Sequence, residues 1–201
     1  MKVLVVCEES QAVCKAFREL GHEAYSNDIQ ECSGGHPEWH LQMDCFEAIK
    51  LKKWDLIIMH PPCTAMTVSG NSTYGEGKPK HQERLDAVEW TQKLWDFATS
   101  VCDKVALENP VGVMRRYGKF PKPQYIQPYE FGHMEQKKTG LYLHGLPKLK
   151  QVENVYDEMM KLPKRERERL HYLPPTKDRA KLRSKTYEGI ARAIAQQWGG
   201  L

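Results

Sequence analysis

The sequence predicts an α/β fold built on a doubly wound, mostly parallel sheet. Short runs of apolar and β-branched residues alternate with segments whose apolar residues recur at helical spacing, which is the βαβ pattern. Polar residues suited to chemistry follow directly after these runs, and doubly wound sheets bind ligands at the carboxyl ends of their strands. The chain has 201 residues, 40% of them hydrophobic, so it is long enough for one domain with a sizeable core.

The N-terminal part of the chain predicts two strands joined by a helix, and then a short third strand. "KVLVVC" predicts the first strand, and "SQAVCKAFRELG" predicts an amphipathic helix that opens at Ser10 and closes at Gly21. "HEAYSND" predicts a second strand ending at Asp28, and "HLQMD" predicts a short third strand. "CFEAIKLK" then predicts one or two helical turns.

The middle of the chain predicts a buried strand, a long loop and a long helix. "WDLIIMH" is almost continuously apolar, which is typical of a strand buried on both faces. The segment from Thr64 to about Lys80 is rich in Gly, Ser, Thr and Lys without periodicity, which predicts a long mobile loop of the functional kind. A helix from about His81 to Val101 and a fifth strand, "KVALENP", follow.

The last part of the chain predicts a late hairpin and a closing helix. "YIQPYEF" and "TGLYLHGL" predict the strands of an antiparallel hairpin that completes the sheet. The stretch 150 to 183 predicts basic helices punctuated by prolines. "EGIARAIAQQWGG" predicts an amphipathic helix with Ile190, Ile194 and Trp198 on one face.

These elements predict a single domain over residues 1–201. Its sheet core would span 3–146, a basic helical insertion 147–183, and the closing helix 184–201. From residue 147 onwards, 13 Lys and Arg stand against seven Asp and Glu, while the net charge of the whole chain is +4. The local surplus suits a polyanionic partner, and it equally suits a solvated, charged helix face.

The apolar runs and the cysteines predict a cytoplasmic protein that needs no membrane. "VLVV" and "LIIM" are far shorter than the roughly 20 residues that cross a bilayer, and "MKVLVVCEES" lacks the layout of a signal peptide. The six cysteines are scattered without the dense spacing of a secreted scaffold, which predicts reduced thiols rather than disulfides.

The candidate site residues fall at the ends of the predicted strands. They are Glu8, Glu9 and Ser10 after the first strand, Asp28 after the second, Asp44 after the third, Cys63 after the fourth and Glu108 after the fifth. An acid about 20 residues beyond the first turn is where nucleotide-binding sheets hold a ribose hydroxyl, and Asp28 has that spacing. Pro61 and Pro62 restrict the backbone before Cys63, so the strand directs the sulfur.

The pair "HPPC" and "ENP" supports a more specific interpretation. On these motifs the chain resembles the cytosine-C5 DNA methyltransferases, whose Pro-Pro-Cys nucleophile motif and Glu-Asn-Val acid motif come in this order. The likeness runs from residue 3 to about 145, with a weaker match in the final helix. It implies a Rossmann-like sheet of the S-adenosylmethionine-dependent methyltransferase type, and hence a single methyltransferase domain.

The resemblance also implies roles for individual residues. Cys63 would be the nucleophile and Glu108 the acid that contacts the cytosine ring. The residues implied for S-adenosylmethionine are Glu8, Ser10, Asp28, Asp44 and Pro62, with Asp28 on the ribose and Asp44 on the adenine amino group. Those implied for the substrate are Thr64, Ser69, Asn109, Gln136 and Lys138. No metal is implied.

The chain departs from the family pattern at several positions. Its first turn is "CEESQ" where the family is rich in glycine, and His60 stands where the family usually has glycine before Pro-Pro. The second arginine of the family's Gln-x-Arg-x-Arg element falls on Gly140. The large target-recognition domain is absent and the basic insertion at 147–183 takes its place, which predicts short or relaxed sequence specificity.

The predicted function is transfer of a methyl group from S-adenosylmethionine to C5 of cytosine in DNA through a covalent Cys–C6 adduct. The DNA would be a duplex with a flipped cytosine or a single strand, and the protein a monomer or homodimer. Two alternatives stay open. One is a catalytically silent, nucleic-acid-binding relative, and the other is the same chemistry on RNA or on a free cytosine nucleotide.

Two zinc-based interpretations compete with this one. Cys32, His36, His40 and Cys45 could hold tetrahedral zinc, although their spacing is not one of the strong Cys-x-x-Cys patterns. A zinc deaminase also acts on cytosine, but its signature needs a second cysteine where Met66 stands. We therefore predict no metal.

Overall fold

A computed structural model describes residues 1–176 and 179–201, and its centre is a seven-stranded sheet. The strands are β1 (Lys2–Val6), β2 (Glu23–Asp28), β3 (His40–Gln42), β4 (Leu56–Met59), β5 (Val105–Pro110), β6 (Gln124–Ile126) and β7 (Thr139–His144). Their order is β3-β2-β1-β4-β5-β7-β6. The first five strands are parallel, and β7 runs antiparallel to both β5 and β6. The predicted doubly wound sheet and late antiparallel strands are therefore confirmed.

The helices include those that the sequence predicts, in the predicted order, and two short ones, Asn71–Tyr74 and Met114–Tyr117, that it does not predict. They are α1 (Ala12–Glu19), α2 (Cys45–Lys50), α3 (Asn71–Tyr74), α4 (His81–Val101), α5 (Met114–Tyr117), α6 (Tyr156–Met160), α7 (Lys164–Arg167), α8 (Arg179–Ser184) and α9 (Glu188–Trp198). Short 3₁₀ turns occupy Pro37–Trp39, Val68–Gly70 and Pro128–Glu130. Within the described residues, no helix combines the length and apolar character needed to cross a membrane.

Two layers of helices cover the two faces of the sheet. Alternation along β1 sends Val3 and Val5 to one face and Leu4 and Val6 to the other. On the first face α1 and α9 pack together on the strands, and on the second face α2 and α4 do so. The predicted buried face of α9 is confirmed, because Trp198 is fully buried and its neighbours one and two turns earlier are nearly so.

Two predictions about local structure need correction. The first helix begins at Ala12 rather than at Ser10, and its cap residue is Gln11, whose side chain makes no capping hydrogen bond. The segment after Thr64 is not irregular throughout, because it contains a 3₁₀ turn and α3. Both differences come from side chains outside the two segments, namely those of Glu8 and Arg84. Their contacts are described with the candidate site.

The basic segment before the closing helix consists of short helices. α6, α7 and α8 have five, four and six residues, with Pro163, Pro174 and Pro175 between them. Lys177 and Asp178, which fall in the stretch predicted as helical, lie outside the described residues.

Candidate active site

Cys63 lies four residues beyond the end of β4, at the start of a tight turn. Pro61 is buried, Pro62 is exposed and Cys63 is half-buried. The carbonyl oxygen of Cys63 accepts hydrogen bonds from the backbone N–H groups of Met66, at 2.9 Å, and Thr67, at 3.1 Å. The prolines and the turn thus hold the predicted nucleophile at the carboxyl edge of the sheet, where water can reach it.

A buried arginine on α4 holds the turn that follows Cys63. Arg84 is 2% exposed, and its Nε donates to the carbonyl oxygen of Ala65 at 2.7 Å. Its two terminal nitrogens donate to the carbonyl oxygen of Thr67, at 3.0 Å, and to Oδ1 of Asn71, at 2.8 Å. One guanidinium therefore binds three points of the segment that was predicted to be a mobile loop. The exposed side chains of Thr64 and Ser69 lie on this segment.

Glu108 lies at the carboxyl end of β5, beside the end of β4. Met59 pairs with Leu107 in the sheet, so the next residues along, His60 and Glu108, are neighbours. Oε2 of Glu108 lies 3.4 Å from Nδ1 of His60, and the Glu108 side chain is 19% exposed. Asn109 is fully buried, and its side-chain amide donates to the carbonyl oxygen of Pro110.

The charge of Glu108 acts on Cys63, and the charge of Lys137 acts on both residues. Burial raises the pKa of the Cys63 thiol, and the charge of Glu108 raises it further, against the opposing charge of Lys137. Burial alone would raise the pKa of Glu108 too, but the hydrogen bond from His60 and the charge of Lys137 leave it below its ordinary value. At neutral pH the resting site therefore holds a neutral thiol beside an ionised carboxylate.

Lys137, rather than Lys138, is the lysine whose charge lowers the pKa values of Cys63 and Glu108. Its Nζ donates to the carbonyl oxygen of Arg183 at 2.7 Å and lies 5.9 Å from the centre of the Tyr187 ring. Lys138 is exposed, and its Nζ lies 4.7 Å from the centre of the Tyr125 ring. Thr139, the first residue of β7, donates from its Oγ1 to the carbonyl oxygen of Lys137 at 3.1 Å. The sequence prediction named Lys138 and missed Lys137.

Gln136, the other residue implied from this element, is attached to the basic segment. Its backbone N–H donates to the carbonyl oxygen of Arg167 at 2.6 Å, and its side chain is half-buried. Helix α7 is therefore held next to the chain that carries Lys137.

In the turn after β1, the carboxylate of Glu8 binds the first backbone N–H groups of α1. Glu8 is 4% exposed, and its two oxygens accept from the backbone N–H groups of Val13, at 2.6 Å, and Cys14, at 3.2 Å. Glu8 thus caps α1 from outside the helix, a role that the sequence predicts for Ser10, which is half-buried. Burial raises the pKa of Glu8, and the charge of His60 opposes this shift.

The same turn adopts left-handed backbone conformations without glycine. Cys7 has φ of 58° and Gln11 has φ of 59°. The buried side chain of Gln11 exchanges hydrogen bonds with the backbone of His36, and a side chain at Gly34 would clash with it. The amide of Gln11 and the Gly34 backbone thus fill the space beside this turn.

Asp28 and Asp44 lie near one point at the carboxyl edge of β1. A hydrogen bond to Cys45, then burial, then the charges of Cys45, Asp28 and Asp44, raise the pKa of Cys7 well above its ordinary value. Asp28 accepts from the backbone of Gln30, and Asp44 caps α2. Among the described contacts, both carboxylates use only Oδ1, so each keeps a second oxygen as an acceptor.

Ile29 supplies an apolar surface beside these acids. It follows Asp28 directly and is 75% exposed. Two carboxylate acceptors and an exposed aliphatic side chain are suited to a ribose, an amino group and the face of a purine. The residues present therefore fit the adenosine part of S-adenosylmethionine, and Ile29 is an exposed apolar residue of this surface that the sequence prediction did not single out.

The two histidines considered for zinc make contacts with other residues. His36 pairs with Glu38 at 2.9 Å and stacks on Trp39, with ring centres 3.8 Å apart. His40 contacts Ser26 through Nδ1 at 2.8 Å. Among the residues that the structure describes, no three His, Cys, Asp or Glu side chains are grouped closely enough to hold a metal ion.

Comparison with known proteins found solved structures of low similarity. No family model and no curated protein matches the sequence. One similar solved structure is that of a protein regarded as a DNA modification methyltransferase, encoded within a prophage (E. coli), with 14% identity and a TM-score of 0.47. Another is the Entamoeba histolytica methyltransferase EhMeth, with 12% identity and a TM-score of 0.49.

These two structures cover most of this chain but extend well beyond it. They match 82% and 77% of the chain, which spans only 56% and 57% of their respective lengths. Similarity at this level carries no argument about this chain, and its fold is described from its own strand order. The strand order, with antiparallel β7 inserted between β5 and β6, is that of a Rossmann-like sheet of the methyltransferase type.

The arrangement at this edge of the sheet combines four chemical capacities. Cys63 offers a sulfur nucleophile, Glu108 a hydrogen-bonding acid, Lys137 a positive charge and His60 a titratable ring. The acids at positions 28 and 44 lie at the ends of the neighbouring strands of the same sheet. Such a site can add a thiolate to an electron-poor ring while a second ligand lies alongside.

Proposed function

We propose that this protein is an S-adenosylmethionine-dependent methyltransferase that methylates C5 of cytosine in DNA. The observation that supports the proposal is the placement of Cys63 and Glu108 after the ends of adjacent parallel strands, close enough for the charge of Glu108 to raise the pKa of the Cys63 thiol. A sulfur and a carboxyl group so placed can contact two edges of one pyrimidine. The proposal explains why both groups lie at the edge where such folds bind ligands.

Cytosine needs both groups because its C5 atom is a poor nucleophile. Addition of the Cys63 thiolate to C6 breaks the aromatic system and makes C5 nucleophilic. The addition also builds negative charge on N3 and O2, which an acid at N3 stabilises. Glu108 is proposed as that acid, and loss of the C5 proton to a base then allows the thiolate to leave.

Lys137 is proposed to stabilise the reactive form of Cys63. Two anions at positions 63 and 108 would repel each other, which is why the charge of Glu108 raises the pKa of Cys63. The ammonium group of Lys137 opposes that shift and also lowers the pKa of Glu108. One cation therefore favours the thiolate and the carboxylate together.

Asp28, Asp44 and Ile29 are proposed to hold the adenosine part of the cofactor. When bound, S-adenosylmethionine supplies the methyl group that C5 takes up. Glu8, whose carboxylate is bound to α1, would act by shaping the turn beside the cofactor. Ser10 and Pro62 remain predicted contacts.

The basic segment is proposed to bind the phosphates of DNA. Lys164 and Arg165 on α7 are exposed, and α7 is attached to the backbone of Gln136, one residue from Lys137. Thr64 and Ser69 lie exposed after Cys63. Contacts with phosphate make binding weaken as salt rises. Two points stay predictions. The cytosine is flipped from a duplex or presented on a single strand, and the protein is a monomer or a homodimer.

Transfer of labelled methyl groups tests the proposal. The purified protein would be incubated with labelled S-adenosylmethionine and with duplex DNA, single-stranded DNA, RNA or dCMP. We expect incorporation into DNA that Cys63→Ala abolishes and Cys32→Ala, at another half-buried thiol, preserves. DNA containing 5-fluorocytosine should trap a covalent complex with the wild-type protein. Methylation that survives Cys63→Ala would exclude this chemistry.

A catalytically silent relative is the second candidate. The observation that favours it is the first turn, where the side chains of Glu8 and Gln11 are buried in place of the family's glycines. Calorimetric titration with S-adenosylmethionine separates the two candidates, because a silent relative that has lost this pocket would bind DNA but not the cofactor.

A further inference from the structure

His60 is a buried histidine at the point where the resembled family usually has glycine. Its backbone N–H donates to the carbonyl oxygen of Val6 at 2.9 Å, which continues the pairing of β4 with β1. Its side chain is 9% exposed, and Nδ1 lies 3.4 Å from Oε2 of Glu108. Nε2 is buried and has no hydrogen-bond partner among the described residues. One nitrogen thus contacts Glu108 and the other is unused.

Charged and titratable groups face His60 from four elements. Glu108 lies on β5, Glu8 lies in the turn after β1, Lys137 precedes β7 and Tyr187 precedes α9. His60 is close enough to Glu8 for its charge to act on the pKa of that carboxylate.

A cavity of about 20 Å³ adjoins the contact between His60 and Glu108. Lys137, Thr139 and Tyr187 complete its lining on the polar side. This volume is about that of a single water site. Water in this cavity would connect the buried pair to a source of protons.

Glu108 alone cannot readily supply the proton that the proposed reaction needs. Its resting state is the carboxylate, because His60 and Lys137 hold its pKa below the ordinary value despite burial. A carboxylate can accept a hydrogen bond but has no proton to give to N3. A neighbouring group that can carry a proton and pass it to Glu108 would remove this difficulty.

We propose that His60 is a positioning residue that acts through Glu108 and supplies it with the proton that reaches cytosine N3. This inference rests on the proposed function. As the Cys63 sulfur bonds to C6, N3 takes a proton from Glu108, and Glu108 takes one from Nδ1 of His60. When the sulfur–C6 bond breaks, the proton returns from N3 through Glu108 to His60. The pair thus ends the cycle with the proton count it began with.

Two substitutions separate proton supply from simple support. His60→Asn places an amide N–H near the position of Nδ1 and keeps a hydrogen bond to Glu108, but it cannot titrate. His60→Gly removes the ring and leaves a space that added imidazole can enter. We expect kcat for methyl transfer to fall at least about tenfold in both variants at pH 7.5. Imidazole should restore activity to His60→Gly and not to His60→Asn.

The pH profile of kcat is the second readout. In the wild-type protein, kcat should rise with pH as the Cys63 thiol ionises and then fall on the alkaline side, because the His60–Glu108 pair must hold a proton to give to N3. In His60→Asn the fall should move to lower pH, because Glu108 must then carry the proton itself. A His60→Asn variant with the wild-type kcat and pH profile would show that the ring serves only as support, and the inference would be wrong.

Nuclear magnetic resonance of the free wild-type protein tests the inference without a methyl-transfer assay and without any variant that has to fold. The ring signals of His60 and the carboxyl signal of Glu108 should report a shared inflection with pH. Independent titration of the two groups would overturn the inference even where the protein methylates DNA. Absence of methyl transfer by the wild-type protein to any cytosine substrate would instead overturn the proposed function, and the inference with it.

Discussion

Replacing Arg84 with methionine tests how the segment after Cys63 is held. Methionine approximates the length of the arginine stem but removes three hydrogen bonds, two of them to the backbone carbonyl oxygens of Ala65 and Thr67. A buried carbonyl without a donor costs about 1–3 kcal/mol. The substitution also removes the cost of burying a cation, which offsets part of this loss. We expect the free energy of unfolding to fall by about 2–4 kcal/mol.

Urea unfolding and hydrogen exchange measure the two consequences of Arg84→Met. Urea unfolding should give a lower midpoint concentration of urea. Hydrogen exchange should be faster at the amides of Met66 and Thr67, which donate to the carbonyl oxygen of Cys63. Arg116→Met is the matched control, because Arg116 is exposed and its side chain contacts exposed Glu76 and the ring of Tyr117 rather than a buried backbone carbonyl. Equal stability of the two variants, with unchanged exchange after Cys63, would refute the reasoning.

Three further predictions concern the charges and apolar surface of the site. Glu108→Gln should lower the pKa of Cys63, since the carboxylate raises it, and iodoacetamide should then alkylate Cys63 faster at pH 8. Lys137→Met should raise that pKa and slow alkylation, while Lys138→Met, on the exposed neighbour, should leave the rate unchanged. Ile29→Ser should weaken binding of S-adenosylmethionine in calorimetry about fivefold, a loss of about 1 kcal/mol from apolar contact, without changing thermal stability. Unaltered affinity would remove Ile29 from the cofactor site.

The strands and the longest helices could be predicted from sequence because their patterns are local. The apolar runs at β1 and β4 are buried throughout the sheet, and α4 spans His81–Val101, the range that its pattern predicts. In each case the side chains that define the element also form the core. Helical and strand periodicities therefore carried enough information to place these strands and helices along the chain.

The details of the site depend on contacts between distant residues. Helix α1 begins after Gln11 because a carboxylate from outside the helix, that of Glu8, binds its first amides, whereas the local rule favours Ser10. The segment after Cys63 is ordered by Arg84, about 20 residues further along the chain, which no local pattern reveals. The choice between Lys137 and the next residue depends on the register of β7, which pairing with β5 sets.

The closed first turn has a consequence for the kind of nucleotide that this sheet can accept. Rossmann-type sheets that carry dinucleotides place the pyrophosphate against the free amides at the start of their first helix. Here the amides of Val13 and Cys14 already bind Glu8, and a carboxyl group stands where a phosphate would have to approach. Such a helix end disfavours NAD-like and FAD-like molecules. It leaves room for a nucleoside that has no phosphate and carries a positive charge instead.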